Sequence, residues 1–346
     1  MKFIIYPIII AALSILVNAV EKAYQKPYHH LEGGFRNLPG IIKKQSFSFD
    51  HLWFFVSRPF SLLKRPEIPT DHVLDNKIAV ENFYQSIHND SVTWVGHMTC
   101  IIKLDGQIIL IDPWFTDYPT PIPPIGPKRV TYPGIHINQL PQINTVVISH
   151  NHYDHLDIPT LKQLPYPEKI TIIVPLGISR YIEDINFKKV VELDWYESVN
   201  INSILYTALP AVHFSKRDLL HTNDTLWASF SIKSSKDKKV FFSEGDYGEF
   251  YKQIGEKYGP FDLAILSCGA YKPYKVMKGI HCTPEDCVQI GIDIKAKNFL
   301  PVHWGTVILG SENLFEPGHL FREEALKKSI SDNKIWLMKI GETRQL

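Results

Sequence analysis

The chain has 346 residues, 45% of them hydrophobic and 21% charged, with a formal net charge of +1. That length and composition exclude a disordered or fibrous chain and allow one large domain or two ordinary ones. A net charge this close to zero supplies no global field for an acidic partner, and no nucleic-acid partner is expected.

The N-terminus departs from the rest. Lys2 is followed by an apolar run from Phe3 to Val17 and by small-residue spacing at Val17-Asn18-Ala19. One positive charge, ~15 apolar residues and that spacing fit a secretory signal peptide over residues 1–19. A membrane anchor through residues 3–17 is the alternative, although a spanning helix usually needs about 20 apolar residues. The protein is therefore expected to be exported, either periplasmic or secreted. Export permits disulfides, and Cys100, Cys268, Cys282 and Cys287 are even in number. Sequence cannot choose among their pairings, and a chain this long does not need them, so free buried thiols are the reading preferred.

Residues 20–90 are rich in aromatics, proline and histidine without a sustained period, and read as an N-terminal arm packed on or beside the core. Within the arm, His51-Leu52-Trp53-Phe54-Phe55-Val56 is a dense apolar cluster followed by Arg58, Lys64 and Arg65. It fits either an arm packed on the core or a contact with a membrane interface or acyl chain.

Residues 91–346 read as one layered α/β domain. Thr93 to Leu104 and Gln107 to Ile111 are strand-like runs joined by Asp105-Gly106, a hairpin signal. The proline-rich segment from Pro113 to Pro141 is too long for a mere connector and reads as a flap or insertion. Further strands are expected at 170–174, 188–193, 204–209, 226–233, 239–243, 262–267, 298–302 and 335–340. Helices are expected near 177–185, 248–257 and 320–330. The clearest lies over 284–294, where Thr283 is a good N-cap and Pro284 suits the first helical position. Strands in bulk with interspersed helices point to packed layers, with no linker and no repeat to divide them.

The chemistry concentrates in Ser149-His150-Asn151-His152-Tyr153-Asp154-His155-Leu156-Asp157, which follows the apolar run Thr145 to Ile148. Three imidazoles and two carboxylates thus stand where a buried strand ends. Imidazole and carboxylate are ligands for zinc and similar first-row metals. His-x-His presents two ligands to one metal, and the Asp-His that follows can serve a second. Three later residues also follow strand-like runs: His213, Asp246 and His303. Each alone would be an ordinary loop residue; their joint occurrence, in order, is the informative fact.

That order resembles the metallo-β-lactamase superfamily. Additional segments resemble its N-acyl phosphatidylethanolamine phospholipase D-like branch: Thr93-Trp94-Val95-Gly96-His97, Gly126-Pro127-Lys128-Arg129, Val191-Glu192-Leu193-Asp194-Trp195, Thr225-Leu226-Trp227, Gly269-Ala270-Tyr271 and Pro301 to Thr306. Gly33-Gly34-Phe35-Arg36-Asn37 in the arm has the same flavour, and the likeness runs from about residue 27 to 330. The resemblance implies an α/β fold of αβ/βα four-layer sandwich type and a site for two Zn2+ or other first-row divalent ions. His150, His152 and His213 would hold the first ion, Asp154, His155 and His303 the second, and Asp246 would bridge them. It further implies a phospholipase D-type phosphodiesterase acting on N-acyl phosphatidylethanolamine or related glycerophospholipids, with a hydroxide bridging two metals and transient contact with a membrane surface. Asp154 and Asp246 would be the catalytic carboxylates.

His281 matches a family position near the substrate and reads equally as a phosphate-contacting imidazole or as a polar residue capping the next helix. Asp112 either orients a ligating histidine or is a turn aspartate. Met98, Tyr247 and Leu219-Leu220-His221 depart from the branch pattern without removing a ligand, which bears on substrate choice. A lactonase or small-molecule phosphodiesterase on the same scaffold is therefore the alternative function.

Overall fold

In the central strands, odd and even residues are apolar alike, so both faces of each strand must be covered. Along Thr99–Leu104, Cys100, Ile102 and Leu104 point into one core while Ile101 points into another. Along Lys239–Ser243, Val240 and Phe242 face that first core and Phe241 faces a third. Because side chains alternate along a strand, this pattern requires two sheets packed face to face with helices outside each.

The computed structural model describes residues 26–41, 66–218 and 220–346 and has this architecture. Two short strands of the arm, His30–Leu31 (β1) and Gly34–Phe35 (β2), pair with each other. One large sheet is built from Ser91–Gly96 (β3), Thr99–Leu104 (β4), Gln107–Ile111 (β5), Thr145–Val147 (β6), Thr171–Pro175 (β7), Lys189–Leu193 (β8) and Thr343–Gln345 (β15). Its seven strands lie in the order β15-β3-β4-β5-β6-β7-β8. The other is built from Ser198–Ile201 (β9), Ile204–Leu209 (β10), Ser229–Lys233 (β11), Lys239–Ser243 (β12), Leu263–Ser267 (β13) and Phe299–Val302 (β14). Its six strands lie in the order β14-β13-β12-β11-β10-β9. Trp94, Tyr206, Phe230, Phe242 and Ile265 fill the space between the sheets. Asn76–Gln85 (α1) and Ile158–Gln163 (α2) cover the first sheet; Phe250–Lys257 (α3), Pro284–Asp293 (α5) and Glu316–Lys327 (α6) cover the second. A short helix, Tyr274–Met277 (α4), precedes α5. The αβ/βα four-layer sandwich is the observed fold.

Several local expectations change. The run from Thr93 to Leu104 is two antiparallel strands, broken at His97, whose φ is +52°. Residues 76–85, expected as arm, form α1, with Asp75 as N-cap accepting from the Lys77 and Ile78 amides. Exposed Ile78 and Tyr84 blur its apolar period. Near 177–185 only the turn Ser179–Tyr181 forms, because buried Ile178, Ile182 and Ile185 can be packed by a turn as well as by a helix. Residues 335–340 touch their neighbours by isolated bridges at Ile335 and Ile340, and the edge strand forms later, as β15. The N-cap expected at Thr283 is present: its side chain accepts from the Asp286 amide. All four cysteines are buried and unpaired. The signal segment 1–19 and the cluster His51 to Val56 lie outside the described residues.

Candidate metal centre

Parallel strands β5 and β6 end side by side, and β14 ends opposite them in the second sheet. Their C-terminal ends carry Asp112, the loop from Ser149 to Asp157, and His303 respectively. His213 follows β10 by four residues, and Glu244 directly follows β12. The architecture thereby collects side chains distant in sequence at one end of the sandwich.

His150, His152 and His213 form one triad. His150 Nε2 lies 2.7 Å from His152 Nδ1 and 3.1 Å from His213 Nε2, and His213 Nε2 lies 3.3 Å from His152 Nδ1. Hydrogen bonding fixes the tautomers. Ser149 Oγ gives its proton to Asp112 Oδ2 at 2.6 Å, so His150 Nδ1–H must donate to Ser149 Oγ at 2.8 Å. His213 Nδ1–H donates to the Ile280 carbonyl at 2.9 Å. Both Nε2 atoms therefore present lone pairs to the same point, an arrangement that a cation satisfies and a proton network does not. Burial and then the neighbouring imidazoles hold His150 and His213 well below the usual imidazole range, and burial takes His152 to about 3. Neutral imidazole is the ligating form.

Asp154, His155 and His303 form a second group, whose donor atoms, with one from His97, lie within 4.8 Å of one another. Asp154 Oδ2 is 3.5 Å from His155 Nε2 and 3.8 Å from His303 Nε2. Ligands about 2.0–2.1 Å from a tetrahedral zinc are themselves about 3.4 Å apart, so this spacing suits an ion. His155 Nδ1–H donates to Asp112 Oδ2 at 2.7 Å, which turns its Nε2 lone pair inward. Asp112 is wholly buried and also accepts from the Ser149 amide at 2.7 Å. It orients both a ligand-type histidine and the loop that carries two members of the triad. Burial alone would raise the Asp154 carboxyl, but His155, His303 and His97 hold it well below the usual range.

The residue between the two groups is not the expected one. Asp246 faces away from them: its Oδ1 accepts from the Tyr247 amide at 2.7 Å and its Oδ2 from the Gly279 amide at 2.6 Å. Glu244 occupies the interior instead, with Oε1 3.8 Å from His303 Nε2 and 3.1 Å from His281 Nδ1. Its Oε2 is buried without a hydrogen-bond partner. Burial would raise this carboxyl, yet His303, His281 and His155 hold it well below the usual range. The expectation that Asp246 bridges is not met by its position: Glu244, rather than Asp246, faces the donor groups. Gly245 follows at φ +109°, packed so closely on the Val212 carbonyl that no Cβ fits, which turns residue 246 outward. His281 stands beside Glu244, and Thr283 rather than His281 caps the next helix.

Three further residues carry little or no signal in the sequence. Arg217 Nη1 donates to the carbonyls of Asn151 and Leu156 at 2.8 Å each, clamping the loop from both ends. Glu244 is masked by Asp246, which matches the family pattern, although Glu244 is the residue that directly follows the strand. His97 ends the motif Thr93 to His97, which by itself assigns it no role.

The arm motifs belong to one contact network. His29 and His30 each meet one oxygen of Asp194, at 2.6 and 2.7 Å, and His29 stacks on Trp195 at 4.2 Å. Farther along, Asn37 Nδ2 donates to the His213 carbonyl at 2.9 Å, while Asn37 Oδ1 accepts from the His213 amide at 3.2 Å and Trp227 Nε1 at 3.0 Å. The arm therefore fixes the backbone of one triad member. Beside it, among the described residues, lies a cavity of about 560 Å³ that touches His213 and is lined in part by Leu31, Leu38, Ile41, Phe214 and Ile280.

This electrostatic pattern predicts acid lability of the metal-stripped protein. Burial lowers His72 to about 4, and His97 and His152 to about 3, against 6.5 for the unfolded chain. As pH falls from 6.5 toward 4, the unfolded chain takes up protons that the folded chain refuses. Each such imidazole then removes up to about 1.4 kcal/mol of stability per pH unit. His155 is held well above its ordinary value by Asp154 and Asp112 despite its burial, and contributes a slope only above pH 6.5. The urea midpoint of chelator-treated protein should fall from pH 6.5 to pH 5; a flat midpoint over that range would contradict the assignment.

Comparison with known proteins places the chain among relatives of the same fold. A family profile described as the beta-lactamase superfamily domain matches residues 107–304. The chain is 33% identical over 296 residues to N-acyl-phosphatidylethanolamine-hydrolyzing phospholipase D 1 of Caenorhabditis elegans, covering 80% of this chain and 82% of that protein. It is 36% identical over 233 residues to the mitochondrial N-acyl-phosphatidylethanolamine-hydrolyzing phospholipase D of Saccharomyces cerevisiae, covering 65% and 49%. Among solved structures, a possible metal-dependent hydrolase from Veillonella parvula superposes with a TM-score of 0.61 at 16% identity, over 75% of this chain and all of that one.

Proposed function

The chain belongs to the metallo-β-lactamase superfamily of metal-dependent hydrolases, and from that premise we propose that it is a phosphodiesterase of phospholipase D type acting on N-acyl phosphatidylethanolamine or a related glycerophospholipid. The observation that carries the reading is the pair of donor groups, with Glu244 beside His303 of the second. It fits two divalent ions, zinc or another first-row ion suited to imidazole and carboxylate donors. His150, His152 and His213 would hold one ion, Asp154, His155 and His303 the other, with Glu244 shared.

Ions held by these residues would supply Lewis acidity, lowering the pKa of a bound water and offsetting the charge that grows on the phosphoryl oxygens. The protein supplies the rest. Asp112 and Ser149 hold the ligating imidazoles in their tautomers, and Asp154 is kept ionised to orient the attacking water. His281, partly buried beside Glu244, can receive the proton released as the water attacks phosphorus. The bond from phosphorus to the ethanolamide oxygen breaks, that oxygen leaves with a proton as N-acylethanolamine, and phosphatidic acid remains. The apolar lining next to His213 favours a lipid over a small polar ester. Export through residues 1–19, with transient contact at a membrane surface, belongs to the same reading and predicts a mature N-terminus near residue 20.

The test is incubation of zinc-loaded protein with N-acyl phosphatidylethanolamine in ¹⁸O-water. The expected result is ¹⁸O in phosphatidic acid and none in N-acylethanolamine. Cleavage of a lactone or a cyclic phosphodiester in its place, with the lipid untouched, would move the assignment to the alternative function.

A further inference from the structure

His97 breaks the run between β3 and β4, and nothing in the mechanism above uses it. It is 1% exposed, and its φ of +52° lies in the left-handed region, uncommon for residues other than glycine although histidine is among those that enter it more often. Strain of that kind persists only where the surroundings impose it. Here they do. The His97 amide donates to Thr306 Oγ1 at 2.8 Å, and its carbonyl accepts from Trp94 Nε1 at 2.8 Å and from the His303 amide at 3.0 Å. The ring lies against His303, with centroids 3.9 Å apart, and edge-on to Trp114.

From this position His97 Nε2 reaches Asp154 Oδ2 at 2.9 Å. An ionised carboxylate can only accept, so Nε2 carries the proton, and Nδ1 is left buried without a partner. Within the second group this contact is the shortest. His155 and His303 stand 3.5 and 3.8 Å from the same oxygen, close to the spacing of two ligands around one ion, whereas 2.9 Å is the length of a hydrogen bond.

We propose that His97 is a positioning residue for the second metal position, donating to the ligating oxygen of Asp154 while its carbonyl holds the backbone of His303. Two ligands from different sheets are thereby locked to one strained residue. Removing the imidazole frees the Asp154 carboxylate to rotate and leaves the His150, His152 and His213 triad intact. The inference rests on the dinuclear reading.

Zinc affinities of wild type, His97→Asn, His97→Gly and His97→Gln, measured by chelator competition and elemental analysis, test it. Asparagine and glycine tolerate the positive φ, so at least one folded variant lacks the donor; far-UV circular dichroism checks this. Wild type is expected to bind two zinc ions. The Asn and Gly variants should keep the affinity of the triad unchanged and lose about 10–100-fold at the other position. Glutamine, whose amide can donate to Asp154, should recover much of that loss. Unchanged affinity at both sites in the Asn and Gly variants, or an equal loss at both, would overturn the role of His97 alone. Wild type binding fewer than two zinc ions would overturn it together with the dinuclear reading.

Discussion

Glu244→Gln is expected to lower kcat/KM for the lipid substrate by on the order of 10³-fold, equivalent to about 4 kcal/mol of transition-state stabilisation. Asp246→Asn should cost no more than about tenfold. The sequence pattern predicts the reverse ranking, because Asp246 stands where the family's bridging carboxylate is expected. The structure reverses it for two physical reasons. Both oxygens of Asp246 are already used by the Tyr247 and Gly279 amides, so its role is to hold the segment that leads to His281. Glu244 has one oxygen beside His303 and His281 and the other buried with no partner, a costly arrangement unless a cation completes it. Glutamine preserves volume and removes the charge. Comparing zinc content and steady-state rates of the two variants decides the matter; an Asp246→Asn enzyme that loses zinc and turnover while Glu244→Gln keeps both would restore the ranking that the sequence pattern predicts.

Asp112→Asn should have the second largest effect, and on two observables at once. The carboxylate accepts from the Ser149 amide, Ser149 Oγ and His155 Nδ1 in a fully buried setting. An amide has one acceptor oxygen, so one of those three donors meets another donor. Leaving a buried donor unpaired costs about 1–3 kcal/mol, which denaturant unfolding of the chelated protein should register. His155 also loses the acceptor that turns its Nε2 inward, and zinc affinity should fall about 10–100-fold at the position it serves. A variant with wild-type stability and zinc affinity would show that Asp112 is only a turn residue.

Much of the candidate centre was legible in the chain. His150, His152, Asp154 and His155 are near neighbours in sequence, and side chains of this type have little reason to gather at the end of a buried strand except around an ion. His213 and His303 were legible through their position after apolar strands. Asp112 was legible as a candidate because Ile111-Asp112-Pro113 ends a strand. Local order could not decide which carboxylate faces inward after β12, since Glu244 and Asp246 are two residues apart and an extended chain would put both on one face. Gly245, at positive φ against the Val212 carbonyl, breaks that alternation, and its cause lies in a neighbouring part of the chain.

The same division holds for the fold. Alternating and continuous apolar runs determined the strands, their burial on both faces and hence the layered class. Helix α1 and the edge strands β9 and β15 were hidden, because half-exposed elements carry a weak period and depend on partners supplied by other parts of the chain. The role of the arm was hidden for the same reason. Its His29-His30 pair meets Asp194, and its Asn37 meets His213, across separations of more than 160 residues. By itself, then, the sequence determined most of the strands and most of the candidate metal ligands. Only the tertiary structure decided which carboxylate enters the centre, which histidine donates to a ligand, and which segment holds the triad in place, because each is set by contacts between chain segments that local order does not encode.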